Sequence, residues 1–182
     1  MTRYLVLGNG AAGATAAEEI RRLEAQAEIT IVSAEKYPMY SRPGLAYIIL
    51  GEIPERQIIA RSADWYSRLG LRLVHGTAAR VEVNTRQVHL ADGRALAYDR
   101  LLIATGARAV ELPYKGAHLA GVVYLDTLDG TKDLLRRARR ARRAVVMGGG
   151  ITALEMAEGF AHQKVETHYF VRKDRLWSTV FN

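Results

Sequence analysis

Tyr4-Leu-Val-Leu-Gly-Asn-Gly-Ala-Ala-Gly-Ala-Thr-Ala-Ala-Glu18 is an apolar run, then Gly8-x-Gly10-x-x-Gly13, then a helical pattern. A pyrophosphate needs backbone N–H groups aimed at it and the positive end of a helix behind it. Gly8 permits the tight turn, Gly10 lets the backbone approach the phosphates, and Gly13 lets helix and strand pack closely. Ala12 lies in the same first turn. The context fits: a strand over Thr2–Leu7, a helix over Ala11–Leu23 with Ile20 and Leu23 on one face, and a second strand over Ile29–Ser33. That strand runs into Glu35 and Lys36. Glu35 lies about 20 residues beyond Gly13, where an acidic residue accepts hydrogen bonds from ribose hydroxyls.

A second copy of the pattern stands at Ala144-Val-Val-Met-Gly-Gly-Gly-Ile-Thr-Ala-Leu-Glu155. Its triplet is Gly148-x-Gly150-x-x-Ala153, and a small residue suffices at the third position. Ile151 opens the helix expected over Ile151–His162, and a strand follows over Val165–Val171. The first unit ends in a carboxylate. The second ends in Val171-Arg172-Lys173, an apolar residue and two cations. A carboxylate favours a free 2′-hydroxyl, whereas cations favour a 2′-phosphate. Two such turns in one short chain imply two nucleotide cofactors, the second read as NADPH in preference to NADH.

Between the turns, Tyr40-Ser-Arg-Pro-Gly44 belongs to an ordered loop, and short helices follow over Leu45–Leu50 and from Ser62 to near Gly70. A strand is expected over Leu71–His75. Arg80-Val-Glu-Val-Asn84, Gln87-Val-His-Leu90 and Ala95-Leu-Ala-Tyr98 read as a small antiparallel meander, turned by Asp92-Gly93. Leu101–Thr105 is another core strand. A helix over Thr127–Arg142 leads into a strand over Ala144–Met147.

With 182 residues and 49% hydrophobic content, the chain can bury a core. No apolar run approaches a membrane span, and the N-terminus lacks a secretory pattern, so a cytoplasmic protein is expected. The absence of cysteine excludes dithiol chemistry and cysteine-ligated metals. No metal is expected. The net charge is +7, concentrated in Arg136-Arg137-Ala-Arg139-Arg140-Ala-Arg142-Arg143. Such a run can neutralise phosphates, but cations also suit the carbonyl end of a helix. No aromatic platform or base-reading motif accompanies it, and nucleic acid is not the expected partner.

Gly8–Gly13 with Glu35, Leu102-Ile-Ala-Thr-Gly-Ala107, and Gly148–Glu155, in this order, resemble the FAD-dependent pyridine nucleotide–disulfide oxidoreductase superfamily. Tyr40-Ser-Arg-Pro-Gly44, in a chain without cysteine, resembles the flavin-side loop of its cysteine-free branch of ferredoxin, rubredoxin and nitrite reductase-like proteins. The resemblance implies an α/β fold: a Rossmann-like FAD-binding domain carrying the meander, and the start of an inserted NAD(P)-binding domain. The corresponding boundaries are 1–112, a crossover over 113–142, and 143–182. It further implies that Ala104, Thr105 and Gly106 lie against FAD. Main chain near Ala79 meets the adenine. Arg42, with Pro43, neutralises the pyrophosphate or orders its loop, and Glu155 lies near the nicotinamide. Met39, Tyr40 and Tyr47 are candidates to pack on the flavin. The implied activity is hydride transfer from NAD(P)H to flavin, with electrons passing to an unidentified acceptor, a redox protein among the candidates.

Three departures from the branch stand out. The lysine that often follows the Arg-Pro loop is missing from Gly44-Leu-Ala-Tyr47, and Asp126 stands where an arginine is common. The segments that complete such proteins are also missing. The chain therefore reads as a fragment, a truncated product, or a half completed by another chain, a homodimer included. The alternative function is a dinucleotide-binding module without turnover of its own.

Overall fold

The computed structural model describes residues 1–111 and 113–172, together with Leu176. The chain forms two compact units: residues 1–41 with 59–107, and residues 42–58 with the part from 108 onward.

The first unit is built on a parallel sheet of β1 (Arg3–Leu7), β2 (Glu28–Ser33), β3 (Leu71–His75) and β7 (Arg100–Ile103), in the order β3-β2-β1-β7. A second sheet is antiparallel, β4 (Ala78–Glu82), β5 (Gln87–Leu90) and β6 (Ala95–Ala97) in sequential order. Strands covered on both faces read as continuous apolar runs, and β1 shows why. Val6 joins Ile29, Ile31, Trp65, Tyr66 and the small residues of helix α1 (Ala11–Leu23) in one cluster. Its neighbours Leu5 and Leu7 point the other way, joining Val32, Val74, Val88, Leu90 and Tyr98 beneath the antiparallel sheet. The parallel sheet is therefore the middle layer, and the meander is its second cover.

Helix α1 corrects one detail. The face it buries is Gly13, Ala14 and Ala17, with Ile20 packed partly against the same cluster. Leu23 is 71% exposed. Small residues bring the helix axis close to the sheet, so the last leucine overshoots it. Between β2 and β3, helix α3 (Ala63–Arg68) presents Trp65 and Tyr66 to the core, their rings edge to face at 4.9 Å.

The second unit contains a parallel pair, β8 (Arg143–Met147) and β9 (Glu166–Phe170), with helices α4 (Leu128–Ala138) and α5 (Ile151–His162). The expected helix over Thr127–Arg142 is thus shorter. Thr127 caps it, accepting a hydrogen bond from Gly130 N–H at 3.0 Å, which supports the weak glycine start. It ends at Ala138, where the last turn tightens as Arg140 N–H donates to Arg137 O at 3.0 Å, and the chain turns into β8.

Residues 42–58 join this second unit, although the sequence assigns them to the domain that precedes it. The segment contains α2 (Gly44–Leu50) and a single tight turn of helix over Glu55–Ile58. Ile49 is fully buried in one cluster with Leu134, Val146, Met156 and Phe160. Gly159 makes that approach possible, since a Cβ there would sit 2.5 Å from Ile49 Cγ2.

Candidate functional site

The two glycine turns are built alike. Gly8 N–H donates to Val32 O at 2.9 Å, and Gly148 N–H donates to Phe170 O at 3.0 Å. Each bond ties the turn to the end of the neighbouring parallel strand. Gly8 has φ +115° and Gly148 φ +148°, backbone conformations that side chains rarely adopt. After each turn a helix begins, at Ala11 and at Ile151. Gly10 and Gly150 stand at the N-cap positions, with no side-chain cap and no acidic residue in the first turn. The first N–H groups of a helix have no partner within it, so both turns present donors and positive potential to an anion.

The glycines of the first turn divide by role. A Cβ at Gly8 would lie 2.1 Å from Ala104 O, and one at Gly13 would lie 2.0 Å from Gly8 O. Those two glycines let the turn pass under the end of β7 and let α1 meet β1. A Cβ at Gly10 would meet nothing within 4 Å. Folding makes no demand for glycine there, so the open space fits a ligand brought against the backbone. Ala104 N–H continues the sheet by donating to Leu7 O at 2.8 Å. Thr105 and Gly106 follow it, exposed.

Glu35 stands past β2, half-buried. Tyr40 Oη lies 2.9 and 2.8 Å from its two carboxylate oxygens. Its backbone oxygen accepts from Ser33 Oγ at 2.7 Å and lies 3.2 Å from His75 Nδ1. Lys36 is exposed, with its ammonium 5.4 Å from the centre of the Tyr37 ring. Asn9, within the glycine turn, accepts from Tyr66 Oη at 2.9 Å and donates to Tyr37 O at 3.4 Å. Tyr66 Oη in turn accepts from Met39 N–H at 2.8 Å. This network binds the glycine turn to the loop carrying Glu35. The sequence reading missed Asn9, Tyr66 and His75, because their partners are distant in the chain. Tyr40, expected as flavin packing, is 8% exposed and directs its hydroxyl at Glu35.

Ala79 lies at a register irregularity between Ala78 and Arg80, opposite Leu90 and His89. A bulge leaves its extra residue out of the ladder, and Ala79 is exposed there.

Arg42 and Pro43 open the segment that belongs to the second unit. Arg42 donates to the backbone oxygen of Asp126 and lies 3.0 Å from its carboxylate. The aspartate at the usual arginine position is thus a partner of Arg42. In the same unit a cleft of about 480 Å³ is lined by Val145, Met147, Gly150, Ile151, Met156 and Phe160, among others. Ile151 is 53% exposed. Glu155 is half-buried on α5 and does not line this cleft. Arg172 is exposed just past β9. Lys173 lies outside the described residues, as does Leu112 at the expected domain boundary. No group of metal-ligating side chains occurs among the described residues, and no helix among them is long and apolar enough to cross a membrane.

Residues 2–182 match the family model described as pyridine nucleotide-disulphide oxidoreductase. The chain is 35% identical over 157 residues to the ferredoxin reductase component of chlorobenzene dioxygenase from Cupriavidus sp. (strain PS12), covering 86% of this chain and 38% of that protein. It is 34% identical over 155 residues to rubredoxin-NAD(+) reductase from Ectopseudomonas oleovorans, covering 84% and 40%. Among solved structures, a ferredoxin reductase from Rhodopseudomonas palustris superposes with a TM-score of 0.91 at 27% identity, covering 100% of this chain and 45% of that one. The chain thus spans about two fifths of the length of these relatives.

Proposed function

Since the chain belongs to the pyridine nucleotide-disulphide oxidoreductase family, we propose that it is the dinucleotide-binding part of an FAD-dependent NAD(P)H oxidoreductase. The observation carrying this reading is the duplicated turn: the same N–H bond to the neighbouring strand, at Gly8 and at Gly148, each before an uncapped helix. The first turn, through Gly10, Ala12 and Gly13, would hold the FAD pyrophosphate, with Glu35 on the adenosine ribose and the Ala79 main chain on adenine. Ala104, Thr105 and Gly106 would border the same site. Arg42 orders its own loop through Asp126.

When bound, the flavin supplies the redox chemistry, taking hydride from the nicotinamide and releasing electrons to an acceptor. The protein groups hold and orient. The second turn would hold the nicotinamide dinucleotide through Gly148, Gly150 and Ile151. We assign NADPH as its preferred form on Arg172 and Lys173, although the rubredoxin relative is named for NAD(+). Glu155 would act near the nicotinamide by family resemblance. Two relatives are named for ferredoxin and rubredoxin. A small redox protein in the cytoplasm is accordingly the acceptor we propose, and a homodimer the assembly.

The test is anaerobic. Purified protein should take up FAD and turn yellow, and NADPH should bleach it at lower concentration than NADH does. Equal action of the two would withdraw the NADPH assignment. Yellow protein that neither nucleotide bleaches would be a binding module without turnover. Protein that takes up no FAD would sink the proposal.

A further inference from the structure

Resting on the reading of the first turn as an FAD site, we infer that Tyr66 is a positioning residue for that turn. Acting through Asn9, it holds the backbone at Gly10 in one conformation before any nucleotide arrives. Gly8 is fixed without it: its N–H donates to Val32 O, and Ala104 O stands 2.1 Å from where its Cβ would be. Helix α1 is fixed by burying Gly13, Ala14 and Ala17. The two residues between them have no such support. Gly10 is exposed, and nothing lies within 4 Å of its Cβ position. Glycine loses more backbone freedom on folding than any other residue, so a short span between glycines needs an anchor.

Asn9 supplies it. Its carboxamide is held at both ends: Oδ1 accepts from Tyr66 Oη at 2.9 Å, and Nδ2 donates to Tyr37 O at 3.4 Å. The backbone oxygen of Tyr37 can only accept, so the amide nitrogen faces it and Oδ1 faces Tyr66. Neither the ring of Tyr66 nor its proton is free to turn. The residue is 4% exposed, with its ring edge to face on Trp65 at 4.9 Å. Its hydroxyl accepts from Met39 N–H at 2.8 Å, which leaves its single proton for Asn9. Met39 is tied in turn, its carbonyl accepting from Ala60 N–H at 3.0 Å and Arg61 N–H at 3.1 Å. Helix α3 thereby reaches the glycine turn through one hydroxyl.

The experiment uses the full chain, with glycine amides labelled for NMR and ADP as the probe. In wild-type protein the Gly10 amide should give one sharp resonance that shifts as ADP binds. In Tyr66→Phe, which keeps the ring, it should broaden through microsecond-to-millisecond exchange and sharpen again when ADP saturates. Gly8, tied to Val32, and Gly148 and Gly150 of the second turn should stay sharp throughout. ADP should bind Tyr66→Phe about tenfold more weakly, the scale of reordering one backbone residue. Asn9→Ala should reproduce both effects, and adding it to Tyr66→Phe should weaken ADP little further, since the two act as one unit. Asn9→Ala decides the matter alone if Tyr66→Phe fails to fold. A Gly10 resonance unchanged by the substitutions, or already broad in wild type, would overturn the inference. So would ADP binding within twofold of wild type. A sharp wild-type resonance that ADP does not shift would instead overturn the reading of the first turn itself.

Discussion

Gly10→Ala and Gly13→Ala should separate binding from folding within one turn. At Gly13 two effects compete. Alanine gains about 1 kcal/mol of helix propensity over glycine. Its Cβ would however stand 2.0 Å from Gly8 O and 3.2 Å from Val6 Cγ1. The first of these is backbone held by the bond from Gly8 N–H to Val32 O, so it cannot yield without shifting α1 off β1. Overpacking of this kind reaches about 3 kcal/mol or more, and the clash wins. At Gly10 the backbone is extended, φ −90° and ψ −171°, and a Cβ meets nothing. Folding should lose no more than about 1 kcal/mol there, the usual scale of an N-cap change. The methyl would instead stand where the pyrophosphate approaches. Loss of one hydrogen bond to a charged oxygen, about 1.5–3 kcal/mol, corresponds to roughly tenfold to a hundredfold weaker FAD binding. Urea melts and quenching of FAD fluorescence give the two quantities on the same samples. A Gly10→Ala protein that binds FAD like wild type, or that unfolds as readily as Gly13→Ala, would refute the division of roles.

Three other perturbations test the frame around the site. Thr127→Ala removes the acceptor for Gly130 N–H and should lower the stability of the second unit by about 1 kcal/mol in urea. Gly159→Ala should destabilise by about 1–3 kcal/mol, net of helix propensity, because its Cβ would meet Ile49 Cγ2 at 2.5 Å; adding Ile49→Ala should leave the double variant more stable than the two single losses predict. The guanidinium and N–H of Arg3 hold the Asp99 carboxyl far below the usual carboxylate range. A depressed folded value means that the pair stabilises at neutral pH and that this contribution fades as pH falls below about 4. Urea midpoints of wild type and Asp99→Asn should therefore differ at pH 7 and converge in acid.

What could be read from the sequence was set by local chemistry. A glycine triplet between a strand and a helix has a short-range steric cause, and both turns stand where Gly8 and Gly148 suggest. The Asp92-Gly93 turn fixes its hairpin in the same way. The association of residues 42–58 had no such sign. It depends on Ile49 meeting Gly159, 110 residues further on, and on a glycine that serves packing inside a helix. The roles of Asn9 and Tyr66 were hidden for the same reason, since their bond spans 57 positions. Tyr40 had a local clue, an acidic residue five positions before it, but Met39 and Tyr47 beside it made flavin packing an equally natural reading. The arginine run suits a helix end but does not mark which residue is last, so the helix expected to Arg142 overran its observed end at Ala138.

The most direct measurement is an anaerobic titration of the cofactor-free chain with FAD, followed by NADPH, watched through flavin absorbance. One FAD should bind per chain, roughly tenfold to a hundredfold more weakly in Gly10→Ala, with the bound flavin bleached by NADPH. A chain that remains folded and colourless at saturating FAD would contradict it.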